Sequence, residues 1–97
     1  MREYEVTVLL RADLDDEARA QLIARLEDWF TLDGSEASKP VVHHWGKRSL
    51  TYPIDKQTDG YYVFFEARLD PAKVSEIERK MLYVEEILRH LFIRKDE

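Results

Sequence analysis

The chain of 97 residues has no cysteine, which excludes a disulfide framework and any thiolate metal site. Only 3 glycines and 3 prolines are present, so there is no glycine-rich phosphate loop, no low-complexity tract and no linker. No apolar run approaches the length of a membrane span. The most apolar stretch, Tyr61 to Phe65, is strand-sized. The start, Met1-Arg2-Glu3-Tyr4-Glu5, alternates charge with apolar groups and has no signal-peptide h-region. Histidines are few. His43 and His44 are adjacent, so on a strand they point to opposite faces and do not chelate one ion together. His90 lies within an apolar strand and reads as a half-buried, satisfied side chain. No Ser-His-Asp arrangement is legible. The expectation is a non-enzyme with no catalytic residue, no metal, no cofactor and no small-molecule substrate.

What is present is a core-forming composition. The hydrophobic fraction of 44% suits one folded domain spanning 1–97. Net charge is −5, the wrong sign overall for a nucleic-acid binder, but the charges are unevenly placed. From Asp13 to Glu36 eight acids stand against Arg19 and Arg25, a net of −6. From Ala37 to Lys56 the cations Lys39, Lys47, Arg48 and Lys56 stand against Asp55, a net of +3. An acidic helix and a basic hairpin follow, although such asymmetry also arises from plain surface solvation.

In chain order, Tyr4, Val6, Val8 and Leu10 recur at period two and predict a first strand. Asp13 or Asp15 caps a helix running to about Leu32, with Leu22, Ile23, Leu26, Trp29 and Phe30 as its apolar stripe and Ala18 in line. Asp33-Gly34-Ser35 stops it. A second strand is expected from Lys39 to Tyr52, with Pro40 suggesting a sheet edge and Pro53 marking the end of a ladder. Asp59-Gly60 reads as a turn into a third strand, Tyr61 to Leu69. Asp70-Pro71 opens a second helix, with Val74, Ile77, Met81 and Leu82 as its buried stripe. The last strand spans Ile87 to Arg94, with Ile87, Leu91 and Ile93 on one face and Leu88 and Phe92 on the other.

The order βαββαβ predicts an α+β, ferredoxin-like fold: a four-stranded antiparallel sheet with both helices on one face. The second strand would neighbour the third, the third the first, and the first the fourth. One sheet face then has no helices. Tyr61, Val63, Phe65, Ala67 and Leu69 form the longer apolar set and are assigned to the core. That leaves Tyr62 and Phe64 outside, beside Glu66 and Arg68. An exposed face of this kind marks a partner site, the alternative being rings that only stack on one another across the strands.

The pattern Trp45-Gly46-Lys47-Arg48-x-Leu50-x-Tyr52-Pro53-Ile54-x-Lys56, with Gly60-Tyr61 after it, resembles the bacterial small-subunit ribosomal protein S6 family. So do Met1-Arg2-x-Tyr4-Glu5 at the start, and Ile87-Leu88-Arg89 with Ile93-Arg94 at the end. The likeness covers nearly the whole chain. Thr51 and Lys47 depart from the family's usual alanine and arginine. The resemblance implies a structural protein of the small ribosomal subunit in the cytoplasm. It implies binding to the central domain of small-subunit ribosomal RNA together with a small basic partner, ribosomal protein S18, and no membrane contact. RNA contact would fall to Arg2, Lys47, Arg48, Lys56, Arg89 and Arg94, with Arg2 and Arg89 converging from neighbouring strands. Partner contact would fall to Trp45, Tyr62, Phe64 and Leu91.

Two rival classes share the topology. An RNA-recognition-motif-like module stacks bases on sheet aromatics, but the third strand has Asp59 where a cation is expected and Tyr62 where a small residue is needed. An acylphosphatase-like hydrolase needs an anion-cradling loop after the first strand, and Arg11-Ala12-Asp13-Leu14-Asp15-Asp16 is too acidic for one.

Overall fold

Six elements follow one another: β1 (Arg2–Arg11), α1 (Asp16–Trp29), β2 (Val41–Ile54), β3 (Gln57–Leu69), α2 (Pro71–Leu82) and β4 (Ile87–Arg94). The computed structural model describes residues 2–31, 38–54 and 56–95. The strands make one antiparallel sheet in the order β2-β3-β1-β4. This is the expected ferredoxin-like arrangement, with β1 between its two partners and β2, the strand that follows Pro40, at an edge.

Strand parity sets the core. Tyr4, Val6, Val8 and Leu10 of β1 pair with Ala67, Phe65, Val63 and Tyr61 of β3. Paired residues share a face, and this one lies under the helices. Leu22, Ile23 and Leu26 of α1, with Ile77 and Met81 of α2, close it from above. Phe30 is fully buried, its ring edge-on to Phe65 at 4.9 Å and to Phe92 at 5.9 Å. Each such side chain contributes about 1.5–3 kcal/mol by leaving water. Among the described residues, no buried side-chain nitrogen or oxygen lacks a hydrogen-bond partner.

The helix starts follow local chemistry. The Asp15 carboxylate, not that of Asp13, accepts from Ala18 N at 2.7 Å and caps α1. Asp13 instead holds Arg11. The Asp70 carboxylate accepts from Ala72 N, and Pro71 opens α2.

Several boundaries differ from expectation. The first helix ends at Trp29, short of Leu32, because Phe30 leaves helical geometry to drop its ring into the core and the Thr31 hydroxyl donates to the Glu27 carbonyl. The expected stop at Asp33-Gly34-Ser35 lies outside the described residues. Ala18 is exposed, and Trp29 is half-buried under Arg25 and Lys80. Leu82 is 74% exposed, and Val84 fills the place assigned to it. Leu82 sits one helical step beyond Met81, so it turns outward while the chain folds back through Tyr83.

Asp59-Gly60 is not the turn. The hairpin reverses earlier, where Ile54 pairs with Gln57 and Lys56 adopts φ +65. Asp59 and Gly60 already lie inside β3, opposite Ser49 and Arg48. Pro53 sits where regular pairing of β2 lapses, between Ser49 and Ile54. In β4 the register shifts beside Leu9 and Leu10, placing Ile87 opposite Leu10. That one-residue irregularity turns Ile87 toward the core, away from the face that carries Leu91 and Ile93.

Candidate functional site

The sheet face without helices is crossed by five rows of side chains, fixed by strand register. Arg68 and Glu3 form the first. Val41, Glu66, Glu5 and Ile93 form the next, then His43, Phe64, Thr7 and Leu91. Gly46, Tyr62, Leu9 and Arg89 come fourth, and Arg48, Gly60 and Arg11 last.

The first row is charge-balanced, the second is acidic, and the far end is basic. In the second row, Glu5 and Glu66 stand directly opposite each other. Lys95 Nζ lies 3.9 Å from Glu5 and 3.8 Å from Glu66, and His43 Nε2 lies 2.7 Å from Glu66. Two adjacent carboxylates on neighbouring strands repel, and these cationic or hydrogen-bonding neighbours offset that repulsion. At the far end stand Arg48 and Arg89, both exposed, with Lys56 on the hairpin beyond them. Arg11 is engaged there: its guanidinium donates two hydrogen bonds to Asp13, and that contact holds the Asp13 carboxyl below the usual carboxylate range.

Between the charged ends lies an aromatic and aliphatic band. A bulge inserts Trp45 between His44 and Gly46, with Gly46 at φ +87. The bulge lays the Trp45 ring parallel to Phe64, 5.2 Å between centroids and 5° between planes, with Tyr62 at 6.5 Å. Trp45 remains 48% exposed, Leu91 57% and Ile93 46%. All four residues expected to meet a partner, Trp45, Tyr62, Phe64 and Leu91, therefore share this face. His43 joins them on it, while His44 points the other way, to the Tyr61 hydroxyl.

The six candidate cations do not converge. Arg48, Lys56 and Arg89 gather at the hairpin end. Lys47 pairs with Tyr61 and so belongs to the helix-side parity. Arg2 pairs with Leu69, at the opposite end of β1 from Leu9, the partner of Arg89. Seven residues of strand separate those positions, roughly 23 Å. The expected meeting of Arg2 with Arg89 is thus wrong: neighbouring antiparallel strands bring the start of β1 beside the end of β4. Arg94, opposite Tyr4, stands near Arg2 at that end.

Tyr52 was missed. With Leu9, Leu50, Ile54, Tyr62 and Arg89 it lines a cleft where the β2–β3 hairpin meets the start of β4. The signal was the period-two run Leu50, Tyr52, Ile54, which carries the strand past the residue before Pro53. Among the described residues no cluster of His, Asp or Glu is placed to hold a metal ion, and no helix is long and apolar enough to cross a membrane.

Comparison with known proteins agrees with this geometry. The family described as Ribosomal protein S6 matches residues 3–94. The chain is 39% identical to the small ribosomal subunit protein bS6 of Thermoanaerobacter pseudethanolicus and 38% to that of Caldanaerobacter subterraneus subsp. tengcongensis, each over 97 residues and the whole of both chains. The crystal structure of 30S ribosomal protein S6 from Thermotoga maritima superposes with a TM-score of 0.85 at 25% identity, covering 97% of this chain and 87% of that one. These relatives are named as ribosomal proteins, not as enzymes. A match along nearly the full length, in sequence and in fold, places this chain in the ribosomal protein S6 family, as a structural component of the small ribosomal subunit.

Proposed function

We propose that this protein binds the central domain of small-subunit ribosomal RNA jointly with a small basic protein, ribosomal protein S18. The helix-free face carries the reading. Its acidic Glu5–Glu66 row attracts a basic partner, its aromatic band supplies anchors, and its hairpin end offers Arg48, Lys56 and Arg89 to phosphate. A chain this acidic gains RNA affinity when a basic partner neutralises much of the backbone. Arg2 and Arg94 stand apart from the hairpin cations and would reach RNA at a separate point.

The test is reconstitution from purified components: this chain, an S18 homologue and a central-domain RNA fragment. The expected result is weak RNA binding by the chain alone and a 1:1:1 complex when both proteins are present. Equal RNA affinity with and without S18, or no protein–protein complex, would defeat the proposal.

A further inference from the structure

We infer that the cleft between the β2–β3 hairpin and the start of β4 seats the base of one unpaired nucleotide. This rests on the RNA-binding reading above and names the nucleic-acid feature recognised at one end of that face.

The cleft is about 250 Å³, room for one planar ring system and not for a helix. Leu9, Leu50 and Ile54 give it aliphatic walls, and Tyr52 and Tyr62 bring two phenol rings. Tyr52 is 67% exposed, so a ring face is open to a ligand. Among the described residues Arg89 is the single charged one on the lining, and it is a cation. Every base has an apolar π-face and a neighbouring phosphate, so apolar walls, exposed tyrosine and one arginine fit both parts.

Charge separates this occupant from a protein side chain. The cations of a basic partner favour the Glu5–Glu66 row toward the other end. Among the described residues no carboxylate lines the cleft, and Arg48 and Lys56 belong to the same hairpin. Duplex RNA buries its base faces, so the ligand is a bulged, looped or terminal nucleotide.

The probes are the four nucleoside 5′-monophosphates, with ribose 5-phosphate and N-acetylarginine amide as controls. They are titrated into the 15N-labelled full chain and followed by amide shifts. Saturable movement of Leu9, Tyr52, Tyr62 and Arg89 is expected with at least one nucleotide, with ribose 5-phosphate moving Arg89 alone. Tyr52→Ala should abolish the response, and Tyr52→Phe should keep it. No response to any nucleotide, the same response to ribose 5-phosphate, or a saturable response to the arginine amide instead would overturn the inference. A second measurement uses the central-domain RNA with S18 present. Tyr52→Ala should weaken binding roughly tenfold without changing its salt dependence. Unchanged affinity in that variant removes the base site while RNA binding stands. If the wild-type chain does not bind that RNA, the ribosomal RNA reading falls, and the nucleotide titration still decides the cleft.

Discussion

The side chain of Leu9 occupies the space that a Cβ at Gly60 would need. Its Cδ1 overlaps that position, its Cγ lies 3.1 Å away, and the Leu10 carbonyl oxygen lies in ordinary contact at 3.5 Å. Leu9 is on the helix-free face yet only 4% exposed, because Gly60 lets it lie flat against β3. Gly60→Ala should therefore destabilise the fold by about 1–3 kcal/mol through overpacking. Thermal melts read this directly; an unchanged melting temperature would show that Leu9 has another rotamer at no cost.

Phe64 lies under Trp45 on the proposed partner face and outside the main core. Phe64→Ala should weaken binding to S18 by about 1–3 kcal/mol while leaving the isolated domain folded. Calorimetric titration beside a thermal melt separates the two. A variant that unfolds, but whose folded fraction binds normally, would reverse the assignment of faces.

Lys47 and Arg48 are adjacent in sequence but belong to opposite faces. Arg48→Ala should reduce the slope of log affinity for RNA against log salt by roughly 1, and Lys47→Ala should leave it unchanged. Filter binding at several salt concentrations, with S18 present, gives both slopes. Equal losses for the two variants would mean that RNA wraps the β2 edge.

Lys56 holds a left-handed backbone, φ +65, that asparagine adopts at lower cost. Lys56→Asn should raise stability by up to about 1 kcal/mol and still weaken RNA binding. Urea denaturation and RNA titration check the two halves. A loss of stability would show that the lysine side chain itself supports the hairpin.

Much of this was legible in the sequence, for reasons particular residues make plain. Tyr4, Val6, Val8 and Leu10 alternate cleanly, so parity and face followed from period two. Tyr62 and Phe64 were placed outside by the same rule. Failures cluster where one residue breaks the period. The Trp45–Gly46 bulge, the register shift beside Leu9 and the hairpin turn at Lys56 each change which side chains share a face. Asp59-Gly60 has turn composition, yet its glycine serves close packing against Leu9. Convergence of Arg2 with Arg89 failed for a different reason. Strand adjacency was right, but distance along the strand depends on register, which composition does not reveal.

The sheet order also bears on how the chain is made. β1 is synthesised first and sits between β3 and β4, with Tyr4 paired to Arg94 across 90 residues of chain. At about 5–20 residues per second, roughly 5–20 s of translation separate the two. Until β3 is made both edges of β1 lack their final partners, the edge that β4 takes stays open longest, and Val6 and Val8 have no complete core to enter. Folding must then close its longest loops last, which predicts a high contact order and a slower approach to the native state than helical domains of this length show. A structural component of the ribosome thus completes its own sheet only after its fourth strand has been made.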